Sequence, residues 1–361
     1  MIRADLASLP PYVPGGPNAQ PVKLSSNESS QGPLPGVTRA AAHALANSNR
    51  YPDMVAQELR GTIADWLGGP SSLLLSADNI AVGAGSSALI QQAIQATCRG
   101  GDAGDEVVYP WRSFEAYPIL TRVAGATAME VPLTEDYRND LSAMADAITG
   151  NTRLVIVCNP NNPTGTTVSR EELIAFLDAV PSDVQILLDE AYVEYVRQDD
   201  FPDGLGLLAD YPNLAVARTF SKAYGLAGLR VGYLVGRPEF IEAVNKVGIP
   251  FSVNAVAQAA AVASIGSKDE LLTRTDITAT QRARVLEAVP EPYRIHSEAN
   301  FIWLDLGETA RDFTEAIAEY GIAVRCFDGE GVRITVTDEA ETDVLLGALN
   351  WLAKAYLTSD N

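Results

Sequence analysis

Histidine and cysteine are scarce in this chain of 361 residues: His43 and His296 are its two histidines, and Cys98, Cys158 and Cys326 its three cysteines. No C-x-x-C pair occurs, and ligating side chains this few exclude the usual zinc arrangements, so no metal is expected. Cys158 lies in an apolar run and reads as a small core residue. Basic residues are short as well, 26 Lys and Arg against 46 Asp and Glu, for a net charge of −20. The acidity is spread along the chain, and without a basic stripe to meet a phosphate backbone no nucleic-acid partner is expected. No apolar run is long enough to span a bilayer. The first residues are acidic and proline-rich where a leader would be basic and then apolar. The expectation is a soluble, reduced, cytoplasmic protein with no membrane partner.

What is present is enough apolar material, 47% of residues, to bury a substantial core in about two domains. A stretch rich in Pro, Gly, Ser and Asn (Pro10 through Pro35) reads as an arm that lies on another surface. Helical and β-rich patterns then alternate. Helices are predicted at Met54–Leu67, Ala88–Cys98, Glu171–Ala179 and Glu239–Val247. Strands are predicted at Ile80–Val82, Glu106–Tyr109, Ala128–Val131, Leu154–Cys158, Val184–Leu188, Leu214–Phe220 and Val231–Val235. Seven such runs, several unbroken by polar residues, predict an α/β fold with a mostly parallel sheet covered on both faces. A helical stretch, Asn254 to Ala288, precedes shorter strands around one helix (Arg311–Tyr320) and a closing helix, Glu339–Leu357, which together predict a smaller α+β domain. The expected division is an arm at 1–30, a large domain at 31–248 and a small domain at 249–361.

The segment Thr219-Phe220-Ser221-Lys222-Ala223-Tyr224-Gly225-Leu226-Ala227-Gly228-Leu229-Arg230 carries the strongest chemical signal. It sets one lysine between two hydroxyls at the end of an apolar strand, with an arginine after a glycine-rich turn. Burial disfavours the ammonium, lowers the pKa and leaves an amine able to condense with an aldehyde, while the hydroxyls and the guanidinium suit a phosphate. Ligands of open α/β sheets lie beyond the carboxyl ends of the strands. There the sequence places Asn159-Pro160-Asn161-Asn162-Pro163-Thr164-Gly165, Asp189-Glu190-Ala191-Tyr192, Lys222, and Gly83-Ala84-Gly85-Ser86-Ser87. Taken singly, the glycine-serine turn is a weak phosphate signal, Asp189 reads as a capping residue and the Asn-Pro loop as a turn. Their order at successive strand ends is what points to pyridoxal phosphate. In that chemistry Lys222 binds the aldehyde carbon and shuttles a proton, and Asp189 keeps the pyridine nitrogen protonated. Asn162 and Tyr192 donate to the phenolic oxygen. Ser86 and Ser87 at a helix start, with Thr219, Ser221 and Arg230, cup the phosphate. Phe114 is the better-spaced aromatic to stack on the ring, with Trp111 second.

These motifs resemble the fold-type-I, class I/II pyridoxal phosphate aminotransferases, and within them the histidinol-phosphate and aromatic amino acid branch. The resemblance covers essentially the whole chain through L-S-S-N-E (24–28), R-Y-P-D (50–53), C-N-P-N-N-P-T-G (158–165), D-E-A-Y (189–192), the lysine segment to Tyr233, and G-V-R-I-T-V (331–336). It implies that Arg333 grips the substrate α-carboxylate. It also implies that Tyr51 reaches the phosphate of the partner subunit in a homodimer with shared active sites, and that Tyr12 lies over a neighbouring substrate pocket. The histidinol-phosphate enzymes commonly have an acidic pair where this chain has Ser87-Ala88. Four segments, 110–118, 123–127, 222–230 and 245–251, are instead similar to actinobacterial aromatic or phenylalanine aminotransferases. Arg325 occupies the place of an arginine near the substrate phosphate in the former, and the latter keep it too. The resemblance therefore favours reversible ping-pong transamination of an aromatic amino acid with 2-oxoglutarate, over histidinol phosphate as substrate. A lyase or decarboxylase on the same scaffold, or a cofactor-binding sensor, is the remaining alternative.

Overall fold

The computed structural model describes residues 7, 9, 11–12, 20–71, 74–100 and 104–357, so much of the expected arm at 1–30 lies outside the described residues. In chain order the first half comprises β1 (Val22–Lys23), α1 (Val37–Leu45), α2 (Gln57–Ser71), β2 (Ile80–Gly83), α3 (Ser86–Thr97), β3 (Glu106–Trp111), α4 (Ala116–Ala124), β4 (Thr127–Pro132), α5 (Leu141–Asp146) and β5 (Thr152–Cys158). There follow α6 (Arg170–Ala179), β6 (Gln185–Asp189), α7 (Gly204–Leu207), β7 (Leu214–Thr219), β8 (Gly232–Val235), α8 (Pro238–Val247), α9 (Ala255–Ile265) and α10 (Lys268–Ala288). The chain closes with β9 (Phe301–Asp305), α11 (Ala310–Ala318), β10 (Ile322–Ala323), β11 (Arg325–Phe327), β12 (Gly331–Thr335) and α12 (Glu339–Tyr356).

Seven strands form one sheet in the order β2-β8-β7-β6-β5-β3-β4. Its interior strands are apolar on both faces, as in Leu154-Val155-Ile156-Val157-Cys158, because helices cover both sides. Ile90, Ile94, Tyr109, Tyr117 and Ile156 share the core on one face. Val155, Val157, Phe176, Leu188 and Val216 belong to the core on the other. The sheet is parallel except at β8, which runs antiparallel to both β2 and β7. Residues 220–231, which join β7 to β8, hold a three-residue 3-10 turn (Ala227–Leu229) and no helix crossing a face of the sheet, so the chain returns antiparallel.

Local chemistry accounts for the helix starts. Ser169 and Glu172 make a reciprocal capping box on α6, and the side chains of Asp140, Asn254 and Asp338 cap α5, α9 and α12. The predicted helical stretch from Asn254 to Ala288 is two helices, broken at Gly266 and Ser267. Ala257, Ala260 and Ala261 of α9 pack into the core beside the large sheet. A three-stranded antiparallel sheet, β11-β12-β9, makes a separate core with α11 and α12 through Ile302, Leu304, Phe313, Val332, Ile334 and Leu349. Of the arm, β1 pairs with β10 in parallel, and Leu24, Ser25 and Asn27 are buried. The carboxyl ends of β5, β6 and β7 thus face the small sheet with the arm lying between.

Candidate active site

The site begins at the last residue of β6. Asp189 is 3% exposed, and its Oδ2 accepts a 2.7 Å hydrogen bond from the hydroxyl of Tyr117 on α4. Its Oδ1 is buried with no hydrogen-bond partner among the described residues. Burial lifts the carboxyl pKa to about 6, against the pull of Tyr117, of the Ala191 amide and of Lys222. Three residues on, Tyr192 is buried edge-on against Phe301, and its hydroxyl accepts a 3.0 Å hydrogen bond from Asn27 Nδ2. Asn27 is itself pinned through Thr335 and Asn300, so the arm fixes the phenol from above the strand ends.

Lys222 lies in the loop past β7, with Nζ 3.1 Å from the carbonyl oxygen of Ser26 and 5.7 Å from the Tyr192 ring centroid. Burial is the first reason that its pKa falls to about 7; Arg333 and Arg230 push the same way, while Glu28 and Asp189 oppose. A large fraction of the amine is therefore neutral at neutral pH.

An anion cup forms where α3 starts. Gly85 has φ of +84°, and a Cβ there would stand 2.4 Å from Nη2 of Arg230, so the guanidinium lies directly over a bare backbone. Gly232 plays the matching part on β8, where a Cβ would come 2.5 Å from the amide nitrogen of Ser86. Arg230, at φ of +56°, donates through Nη1 to Ser221 Oγ at 3.1 Å and to the Ala227 carbonyl at 3.1 Å. Thr219 Oγ1 accepts from the Ser221 amide at 3.1 Å. Ser86 and Ser87 open α3, so the helix dipole and its free amides face the same cavity.

The small sheet supplies the other wall. Arg333, 7% exposed, donates to Asn162 Oδ1 at 2.6 Å and to the Ser25 carbonyl at 2.8 Å, while its Nε has no partner among the described residues. In this arrangement Asn162 faces Arg333 through its carbonyl oxygen. Arg325 on β11 is held by both carboxylate oxygens of Glu115. Tyr12 meets Phe114 edge-on at 6.5 Å between centroids, and both line the cavity.

One cavity therefore collects the residues predicted from the sequence: Lys222, Asp189, Asn162 and Tyr192; Ser86, Ser87, Thr219, Ser221 and Arg230; and Phe114, Tyr12, Arg325 and Arg333. Trp111 does not line it, and neither does Tyr51, which is 83% exposed with its ring 4.7 Å from that of Phe251. Sequence reasoning overlooked Tyr117, Asn27 and the Ser26 carbonyl. It also took Cys158 for core alone, whereas this buried thiol lines the cavity. The sign available for Tyr117 is its place four residues before Thr121, which puts both on the buried face of α4. A low-pKa amine, a buried carboxylate with one open oxygen, an anion cup and a guanidinium together suit a phosphorylated aldehyde and an amino acid carboxylate.

Comparison with known proteins agrees with this chemistry. The family model for aminotransferase class I and II matches residues 19–349. An aromatic amino acid aminotransferase of Corynebacterium jeikeium is 58% identical, over 97% of this chain and 93% of its own. One of Rhodococcus erythropolis is 53% identical, over 96% and 94% respectively. Among solved structures, the histidinol-phosphate aminotransferase of Sinorhizobium meliloti in complex with pyridoxal 5′-phosphate superposes with a TM-score of 0.85 at 30% identity, covering 98% of each chain.

Proposed function

The chain belongs to the class I and II aminotransferases, and on that footing we propose that it transaminates aromatic amino acids, with 2-oxoglutarate as amino-group acceptor. Its cofactor is pyridoxal phosphate, and the residues present fit that group. The open Oδ1 of Asp189 suits a protonated pyridine nitrogen, the bare Gly85 backbone under Arg230 suits a phosphate, and the low-pKa Lys222 suits an aldehyde. When bound, the cofactor supplies an electron-withdrawing ring that stabilises negative charge left at the substrate α-carbon.

In this reading the protein's own groups divide the work. Arg333 takes the α-carboxylate, with Asn162 and the Ser25 carbonyl holding the guanidinium in place. Lys222 Nζ, in large part neutral near pH 7, takes the α-proton in one half of the exchange and delivers a proton to the α-carbon of the incoming oxo acid in the other. Asn162 and Tyr192 would meet the phenolic oxygen, and Phe114 would stack on the ring. Thr219, Ser221, Ser86, Ser87 and Arg230 would hold the phosphate. Residues 31–248 carry the cofactor groups, 249–361 bring Arg333 and Arg325, and the arm closes the wall. Tyr51 serves the phosphate of a partner subunit in a homodimer. The exposed cluster of Tyr51, Met54, Val55, Ile249 and Phe251 supports such an interface. Three free cysteines are in keeping with a cytoplasmic enzyme.

The observation that carries the aromatic reading is the identity of 58% and 53%, along nearly the whole chain, to aromatic amino acid aminotransferases. Rates with phenylalanine, tyrosine and histidinol phosphate, each with 2-oxoglutarate, test it. The aromatic substrates should lead; a large margin for histidinol phosphate would replace this reading.

A further inference from the structure

Arg325 and Arg333 are register partners on the antiparallel strands β11 and β12, so their side chains leave the sheet on one face, and both line the cavity. Like charges set opposite one another repel, and the charge of Arg325 adds to the fall that burial causes in the Arg333 pKa. The two guanidiniums are answered differently. Arg333 donates to neutral oxygens, those of Asn162 and Ser25, and the charge of Glu115 reaches it only through space, so no carboxylate occupies its donors. Arg325 donates Nη2 to both oxygens of Glu115, at 2.7 and 2.9 Å. The side chains of that pair are only 11% and 26% exposed, which limits screening by solvent. Glu115 stands immediately before α4, on the large-sheet side, and does not itself line the cavity. Aromatic rings stand on this side of the cavity: the Arg325 guanidinium carbon is 5.4 Å from the Phe327 centroid, and Phe114 and Tyr12 line the same cavity.

We propose that Glu115 is a positioning residue that sets substrate specificity: by neutralising Arg325 it favours substrates with one anionic group and an apolar ring over those bearing a second anionic group. A side-chain carboxylate or phosphate has to displace Glu115 from Arg325 before it gains a partner there. An aromatic ring leaves the pair intact. In a two-stage exchange the dicarboxylate partner alone meets this barrier, so Glu115 sets the balance between the two half-reactions. The substrate names rest on the proposed function, but the discrimination is a property of binding.

The test is therefore binding of two unreactive acids to the holoenzyme, glutarate and 3-phenylpropionate, followed by the cofactor's absorbance. Glu115→Gln should tighten glutarate at least tenfold and change 3-phenylpropionate less than threefold. Glu115→Asp should restore the wild-type preference, and Arg325→Gln added to Glu115→Gln should cancel the gain. Arg325→Gln alone, which leaves the Glu115 charge uncompensated, should weaken glutarate more than tenfold, so the test survives if Glu115→Gln does not fold. Unchanged glutarate binding in these variants, or equal changes for both acids, overturns the proposal. An enzyme that shows the shift yet does not transaminate phenylalanine removes the proposed function and leaves this inference standing.

Discussion

The hydroxyl of Tyr117 donates to one oxygen of Asp189 at 2.7 Å, and the other oxygen has no partner among the described residues. The helix α4 thus satisfies half of a buried carboxylate and leaves the remaining half for the cavity. A hydrogen bond to a charged group contributes roughly 1.5–3 kcal/mol. Tyr117→Phe should accordingly lower kcat about tenfold while the protein keeps its cofactor. Asp189→Asn should cost over a hundredfold, since in the proposed function its charge faces the pyridine nitrogen. Steady-state kinetics beside cofactor titration separate the two; equal losses in both variants would show that Tyr117 does more than orient Asp189.

The same carboxylate makes the cofactor-free protein sensitive to acid in an uncommon direction. Burial raises the folded pKa of Asp189 to about 6, above its ordinary 3.8. Its contribution is complete below the unfolded value and is lost as pH rises through the folded one. The difference of about two units corresponds to roughly 3 kcal/mol. Denaturant unfolding of the apo forms from pH 4 to 7 should show wild type losing stability relative to Asp189→Asn across that window. Parallel curves for the two proteins would contradict it.

Much of this was legible before any coordinates. The unbroken apolar runs at β5, β6 and β7 announce buried parallel strands, and the residues just past them are the chemical ones because the fold opens ligand space there. The reversal of β8 was not legible, since an apolar run bears no mark of direction. Nor was Asn27: its four hydrogen-bonding contacts, to Tyr192, Asn300 and twice to Thr335, join segments separated by 165 to 308 positions, and nothing local in the arm foretells them. The pairing of Arg325 with Glu115, 210 positions apart, is hidden for the same reason. Helices α1, α4, α5 and α7 escaped; α5 and α7, with 6 and 4 residues, are too short to establish a period, whereas the nine-residue α11 is legible and the equally long α1 and α4 are not.

Gly85 offers a sharper test of the anion cup. A methyl group there meets the end of the flexible Arg230 side chain at 2.4 Å, which can move, but φ of +84° with ψ of 161° is a backbone conformation kept almost wholly to glycine and costs an alanine roughly 1–3 kcal/mol. Gly85→Ala should therefore weaken pyridoxal phosphate at least tenfold in equilibrium dialysis, besides a loss of apo stability of that size. Retained affinity would show that Arg230 does not need this position.

Lys222 should reveal its burial through stability as well as chemistry. Its folded pKa near 7 lies below the ordinary 10.5, so the unfolded chain binds more protons between those values, and the lysine's penalty fades as pH rises through that range. Lys222→Met should abolish transamination and the covalent, borohydride-reducible attachment of the cofactor. The apo variant should nonetheless melt above wild type at pH 7, with the gain vanishing towards pH 10. Calorimetry of both apo proteins at the two pH values checks this, and a variant that is less stable at pH 7 would refute it.

Arg333 separates carboxylate geometry from carboxylate charge. Its guanidinium already spends Nη1 on Asn162 and Nη2 on Ser25, so the fork is fixed before a substrate arrives, and its remaining Nε stands unpaired among the described residues. A lysine keeps the charge but cannot hold both neighbours and a carboxylate with one planar fork. Arg333→Lys should therefore lower kcat/KM about a hundredfold for every amino acid tried, mostly through KM, because the lost contact exists in ground and transition states alike. The ratio between phenylalanine and glutamate should stay within threefold of wild type, since the α-carboxylate is common to both. A loss confined to one substrate would place Arg333 against the side chain and would require another group to hold the α-carboxylate.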